Sequence, residues 1–359
     1  MATLKELAEY TGFSSATISR ILNNDPTMAA SEETRKKVIE AAGALNYTTS
    51  RSKKGGGKTA LRIALAEMLS PAEQLEDPYY LYLRRFVEHA CMEQKIELLS
   101  LLYQEEAGYS LLTPSALDGI IAIGIFTRRQ VEMLHRLSGN VVFLDSAPDE
   151  RRSDAVVINY RLGVYQALEA LMERGHTRIG FIGPAEKLDD WKQPAPERRH
   201  VLFTRFMTEH GLFSPDLLVD VPMNTRQTTD ALTAYLKKNT DPPTAFLTAN
   251  EENAIGAMRA LQRAGLRVPE DVSIVSFNDT PLSEMVDPPL TSISTRMQEM
   301  SALAVQMVCE RSGKREGART YPVKVIVPPT LVLRDTVAAP RKWEGKPCST
   351  DGVQTVEKL

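Results

Sequence analysis

From Leu61 onward, short apolar runs alternate with amphipathic stretches, and no other feature restricts the fold so tightly. The runs are LRIALAEM, IELLSLLY, DGIIAIGIF, NVVFLDSA, AVVINY, RIGFIGP, LLVDVP, TAFLTAN and VSIVSF. Between many of them lie helical segments such as YYLYLRRFVEHACMEQ, RLGVYQALEALMERG and ENAIGAMRALQRAG. Strands that take turns with helices build parallel sheets covered on both faces. So many strands exceed what one small sheet carries, and the pattern predicts two α/β lobes on doubly wound parallel sheets. In such sheets ligands bind beyond the C-terminal ends of the strands.

Other classes are excluded by composition and motif. A hydrophobic share of 43% with 25% charged residues suits a folded, water-soluble chain. The longest nearly uncharged apolar stretch, Gly119 to Phe126, is far short of the roughly 20 residues that cross a bilayer, so no membrane partner is expected. The first residues, MATLKELAEY, carry acids and lack a basic start or a long apolar run, which predicts a cytoplasmic protein. Cys91, Cys309 and Cys348 are widely separated, without CxxC spacing, and predict neither disulfide nor zinc site. There is no G-x-G-x-x-G, P-loop, G-x-S-x-G or HExxH. His89, His135, His176, His200 and His210 form no ligand spacing, and His176 reads as a local hydrogen-bonding residue. No catalytic residue, metal or cofactor is predicted.

The two ends of the chain differ in charge. Residues 1–60 hold nine Lys or Arg against six Asp or Glu, and the remainder holds 34 against 40. That asymmetry suits a polyanion at the N-terminal end. Here Thr3 and Glu6 have capping-box spacing before a short helix over about 4–10, with Gly12 suited to the turn after it. Ser14 caps a second helix whose Ile18, Ile21 and Leu22 form the buried side, while Ser15, Ala16, Ser19 and Arg20 face outward. Ser31 caps a third, with Val38, Ala41, Ala42 and Leu45 on one face. Two short helices joined by a glycine turn are a helix-turn-helix, whose second helix enters the major groove. In that reading Arg20 pairs with a guanine, Ala16 packs on a thymine methyl, and Thr17, Ser19 and Asn23 hold phosphates or sugars. Thr3 and Ser14, at the helix starts, join the DNA-facing set. The same three helices also suit a plain bundle that docks another protein, and the pattern alone leaves both open.

TLKELAEYTGFSSATISRILN, followed by SEETRKKVIEAAGALNY, resembles the DNA-binding headpiece of the lactose/galactose repressor family of transcriptional regulators, and the similarity extends to about Arg334. The resemblance places the family's specificity positions on Ser15, Ala16 and Arg20, and its headpiece tyrosine on Tyr47. It also implies an N-terminal all-α headpiece and a two-lobed, periplasmic-binding-protein-like core that takes a small effector, commonly a sugar. Family patterns recur as FLDSA, RGHTRIGFIGP, LTANEENAIGAMRALQRAGLRVPEDVSIVSFND and DPPLTSIS.

One segment departs from the family. Where members carry a hinge helix with a leucine wedge, this chain has Thr48-Thr49-Ser50-Arg51-Ser52-Lys53-Lys54 and then three glycines. No apolar wedge is present, and glycine opposes helix formation. The reading is a basic linker over 48–60 in which Arg51, Lys53 and Lys54 bind phosphates without intercalating.

The resemblance also supplies the effector residues. Asp145 ends the FLD strand, Asn250 ends AFLTAN, Asn278 and Asp279 end IVSFND, and Arg199 matches the family arginine that clamps hydroxyls. Planar side chains at strand ends pair well with sugar hydroxyls, although Asn and Asp cap loops just as often. Asn278 stands where many sugar-responsive members have Asp. Tyr79 and Tyr80 begin a helix near the first strand's end, either stacked on a sugar or packed on the lobe.

The expected domains are a headpiece over 1–47, the linker over 48–60 and a two-lobed core over 61–335. Within the core, lobe one combines 61–160 with 292–318, and lobe two 161–291 with 319–335. Residues 336–359 mix Pro, Gly and charge without leucine heptads and read as a disordered tail, so a homodimer on a pseudopalindromic operator is expected. The function implied is repression of a sugar-utilisation operon under a small sugar effector. SFNDTPLSEMVDPPLTSIS and DPYY look most like the galactose-operon repressor branch, making galactose or a galactoside the first candidate. The alternatives are a cytoplasmic sugar-binding protein or a sugar-modifying enzyme without operator-specific DNA binding.

Overall fold

The computed structural model describes residues 4–22, 34, 37, 38, 41, 61–69, 78–111, 115–239, 241–314 and 317–341. The chain divides into two units, Met1–Ala60 and Leu61–Leu359.

In the first unit, α1 (Leu4–Thr11) and α2 (Ser15–Leu22) are joined through Gly12, whose φ of 74° is the left-handed turn expected of it. The Ser14 hydroxyl accepts from the Thr17 amide at 3.1 Å, so it caps α2. Leu7, Ile18 and Ile21 are buried together with Val38 and Ala41, which belong to a third helical stretch that also includes Thr34 and Lys37. Spacing of three residues puts Val38 and Ala41 on one face, as the sequence predicts.

The second unit holds two sheets. The first contains β1 (Arg62–Glu67), β2 (Glu97–Gln104), β3 (Gly108–Leu111), β4 (Gly119–Ile123), β5 (Val141–Leu144), β6 (Asp154–Ile158) and β14 (Lys324–Val327), in the order β14-β6-β5-β4-β1-β2-β3. The second contains β7 (Ile179–Gly183), β10 (Leu218–Asp220), β11 (Ala245–Thr248), β12 (Ser273–Asn278), β13 (Thr291–Ser294) and β15 (Thr330–Val332), in the order β10-β7-β11-β12-β13-β15. Pairing is parallel except for β2 with β3 and β13 with β15. Strands β4, β5, β6, β7 and β11 are buried along their whole length, because helices cover both faces. In the first lobe α3 (Pro78–Glu93) and α10 (Met297–Glu310) pack on one face and α4 (Arg128–Leu137) on the other. In the second, α5 (Tyr160–Glu173) and α6 (Arg198–Glu209) cover one face, and α7 (Thr225–Lys238) and α8 (Glu251–Arg263) the other.

Two expected boundaries move. Thr291–Ser294 pairs with β12 in the second sheet, so the chain returns to the first lobe only after Ser294. Lys324–Val327 pairs with Ala155–Ile158 in the first sheet, so 319–327 belongs to lobe one and only β15 to lobe two. The segment YPVKVIVPPTLVL reads as two neighbouring strands of one lobe, but Pro328 and Pro329 have fixed extended backbone and carry the chain straight from one sheet to the other. The three crossings therefore follow β6, β13 and β14.

The expected tail also begins too early. Thr336 is fully buried, its hydroxyl donating to Ile274 O at 2.7 Å and accepting from the Thr291 amide at 2.9 Å. Ala338 O faces His176 Nε2 at 2.9 Å, and Arg341 pairs with Asp271 at 2.6 Å. Residues 336–341 are thus stitched to lobe two, because Thr336, Ala338 and Arg341 carry polar groups that buried partners need; 342–359 lie outside the described residues. His176 also meets Thr244 Oγ1 at 2.8 Å, the local role expected of it. Cys91 and Cys309 are buried and not joined in a disulfide. Among the described residues no helix is long and apolar enough to cross a membrane, and no cluster of acids, histidines and cysteines could hold a metal.

Candidate functional site

Between the two lobes of the second unit lies an open cleft with about 570 Å³ of empty space, open solvent included, adjoined by a second such space of about 280 Å³, with Tyr80, Asp145, Tyr160, Lys187 and Arg199 lining both. It opens at the C-terminal ends of the parallel strands, where the backbone leaves each sheet.

Asp145 follows β5 with φ of 74°, and Asn278 ends β12 with φ of 100°. Asn and Asp tolerate positive φ better than other side chains, and non-glycine residues held there cluster at ligand sites. One such residue comes from each lobe. The Tyr79 and Tyr80 hydroxyls donate to the two oxygens of Asp145 at 3.4 and 3.2 Å. Both rings are buried, 5.2 Å apart and edge to face. The tyrosines thus act through their hydroxyls as well as their rings. Burial pushes the Asp145 carboxyl up to about 6, although Lys187, the Tyr80 hydroxyl, Arg199 and Arg198 all pull it down.

Arg199 lies in the first turn of α6, whose N-cap is Glu197. The Glu197 carboxylate accepts from the Arg199 backbone amide at 2.7 Å and from its Nε at 2.8 Å, and both side chains are almost wholly buried. Burial alone would raise Glu197, but the guanidinium of Arg199 and the His200 amide outweigh it and hold the carboxyl below its ordinary value. The guanidinium also donates to Ala249 O and sits 5.5 Å from the ring centres of Tyr160 and Phe277. Those two rings are stacked, at 24° between planes, and burial raises the Tyr160 hydroxyl above its ordinary value. A planar cation fixed beside aromatic faces and a carboxylate is a surface suited to a ring bearing hydroxyl groups.

The other expected residues divide. Asn250 lines the smaller cavity, but its side chain also caps α8, accepting from the Asn253 amide at 3.0 Å and donating to Glu252 at 2.9 Å. Asn278 lines the same cavity. Asp279 does not: φ of 58° turns it to Arg334, which it meets at 2.7 Å outside the cavity lining. Tyr160, Lys187, Glu197, Arg198 and Met223 line the cavities without having been singled out in the sequence. Tyr160 was detectable, since it closes the AVVINY run two residues beyond β6, much as Asp145 comes just after β5. Lys187 was not, because it sits on a hairpin that no apolar pattern marks.

In the first unit, Ser15, Thr17 and Ser19 are partly exposed and Arg20 is exposed, on the helix that the sequence assigns to base reading. Ser14 and Thr17 share a side-chain hydrogen bond of 2.8 Å, which ties their hydroxyls to the cap. The side chain of Ala16, together with Thr3, Asn23, Tyr47, Arg51, Lys53 and Lys54, lies outside the described residues.

Residues 3–50 match the family model for bacterial regulatory proteins of the lacI family, and 168–337 match the periplasmic binding protein-like domain. The chain is 31% identical over 312 residues to the HTH-type transcriptional regulator GalR of Streptococcus thermophilus, covering 86% of this chain and 92% of that one. It is 32% identical over 357 residues to the HTH-type transcriptional repressor MelR of Bacillus subtilis (strain 168), covering 95% and 99%. Among solved structures, the lac repressor dimer bound to operator and the anti-inducer ONPF superposes with a TM-score of 0.62 at 22% identity, covering 94% of this chain and 99% of that one. A complex of the transcriptional regulator CelR with cellobiose gives 0.61 at 21%, covering 94% and 100%. At those identities the structural likeness speaks for the fold.

Proposed function

The chain belongs to the lacI family of bacterial regulatory proteins, as a DNA-binding transcriptional regulator and not an enzyme, and from that premise we propose that it represses a sugar-utilisation operon under the control of a small sugar held between its two lobes. The observation that carries the sugar reading is the Asp145 carboxylate gripped by Tyr79 and Tyr80 in a cavity that Tyr160 and Arg199 also line. A neutral polyhydroxyl ligand satisfies such a set because each hydroxyl both donates and accepts. Galactose or a galactoside is the first candidate. Names among the relatives, GalR and MelR, fit sugar operons, and the cellobiose complex concerns a regulator of the same fold.

In this reading a homodimer presents two headpieces, 1–47, to an inverted repeat, with Arg20, Ser15 and Ala16 on base edges. The linker, 48–60, holds phosphates through Arg51, Lys53 and Lys54. Effector in the cleft changes lobe closure and hence operator affinity.

The test is fluorescence anisotropy of the full chain on inverted-repeat DNA from its own upstream region, with and without galactose, at two salt concentrations. Salt-sensitive specific binding that galactose alters is the expected result. Specific binding indifferent to galactose would discard that effector, and absence of specific binding would discard the operator role.

A further inference from the structure

The hairpin of β8 (Glu186–Leu188) and β9 (Pro194–Pro196) belongs to neither large sheet. By chain position it is part of lobe two, leaving β7 and returning to α6, with its base tied by the Glu197 amide to Ala185 O at 2.9 Å. Its strands pair only with each other, and Pro194 and Pro196 remove two donors from one edge. Lys187, Leu188, Asp189, Asp190, Ala195 and Pro196 form one wall of the larger cavity.

The tip of this hairpin reaches the other lobe. The Asp189 carboxylate accepts from the Trp191 amide at 2.8 Å and from the Gln193 amide at 2.9 Å, while Lys192 takes a φ of 55°. That turn chemistry fixes the direction of Trp191. The indole packs against the first-lobe cluster that contains Phe126, Val131 and Phe143. The Arg128 guanidinium lies 4.7 Å from its ring centre. Arg128 is itself fixed, as the first residue of α4 after a capping box formed by Thr127 and Gln130. Next to the tryptophan, Asp190 accepts from the Ala147 amide of lobe one at 3.4 Å and from Arg198 of lobe two at 3.0 Å.

We propose that this hairpin is a strap latched across the mouth of the cleft by Trp191 on Arg128, and that small molecules reach Asp145 and Arg199 only when the latch lets go. Trp191 and Arg128 are then positioning residues that set the rate of access and bias the two lobes toward closure. The inference rests on the cleft being the effector site, and it adds the gate to that site.

The test does not need the effector. In the full chain carrying Cys348→Ser and Asn278→Cys, Ellman's reagent reports how often the cleft opens, because Cys91 and Cys309 are buried. Adding Trp191→Ala, or Arg128→Ala as the milder change, is expected to speed labelling at position 278 by about threefold or more, the scale of one lost cation–π contact. Far-UV circular dichroism and the melting temperature should stay unchanged in Arg128→Ala. A smaller acceleration in a folded Arg128→Ala chain overturns the latch. Galactose titrated calorimetrically into the chain with Asn278 intact, with and without Arg128→Ala, separates the two ideas: faster labelling at position 278 together with no sugar bound by the Asn278 proteins sustains the strap and overturns the galactose reading.

Discussion

Asp145 illustrates how one side chain sets a pH response. Its carboxyl is raised from its ordinary 3.8 to about 6 by burial, so the folded protein holds that proton more tightly than the unfolded chain does. Its contribution to stability is therefore full below about pH 3.8 and lost as pH rises through about 6. The melting temperature of Asp145→Asn, measured against the parent, should accordingly gain between pH 4 and 7. Sugar hydroxyls that donate to the ionised carboxylate should bind more tightly as pH rises from 5 to 7, and calorimetry on Asp145→Asn should find that dependence gone. Arg199 makes a different contribution, since its pair with Glu197 is almost wholly enclosed. Arg199→Ala leaves a buried carboxylate unpaired and is expected to lower urea-unfolding stability by about 3–5 kcal/mol. The half-exposed neighbour Arg198→Ala should cost no more than about 1 kcal/mol. In the headpiece, Arg20→Ala should cost about 1–3 kcal/mol in operator affinity and relax preference at one base per half-site, read by anisotropy on single-base variants.

At the scale of elements, α7 and α8 approach one another closely. A Cβ on Gly256 would stand 2.6 Å from both Thr225 O and the Thr228 Cβ, so the two helices touch backbone to backbone. Gly256→Ala should destabilise the core by about 1–3 kcal/mol despite alanine's better helix propensity, and urea denaturation decides the sign. Elements with strong periodicity were legible before the structure. Buried strands such as GIIAI and VVFL are continuous apolar runs, and helix α8 announces itself through Asn250, the acids after it and its apolar spacing. The strand KVIV was legible but assigned to the wrong lobe, because it has one exposed face at a sheet edge and its partner is chosen by distant topology. The hairpin EKL/PAP was missed, since it is exposed or nearly so throughout. Asp145, Asn250 and Asn278, at strand ends, were named from the family resemblance, and Tyr160, also at a strand end, was passed over. Lys187 and Glu197 were not found, because what makes them part of the site is the return of a loop, a tertiary event with no local period.

For the molecule as a whole, the proposed phosphate-holding linker over 48–60 makes its own prediction. Lys53→Ala with Lys54→Ala should weaken all DNA alike and flatten the salt dependence, and a change in sequence preference instead would mean that the linker reads bases. With three glycines in the linker, effector binding is expected to change operator affinity by no more than about 150-fold in the same assay. The route of the chain through the core has a consequence for its making. Lobe one takes β1 to β6 early but its packing helix α10 and edge strand β14 only at residues 297–327, and lobe two waits for Thr330–Val332 and the stitch at Thr336. During synthesis neither lobe can be completed until most of the protein is already outside the ribosome, so the face of Ile121, Val142 and Leu144 has α3 but not α10 on it until the chain is nearly complete. A ribosome stalled near residue 290 would therefore carry two unfinished sheets rather than one finished lobe.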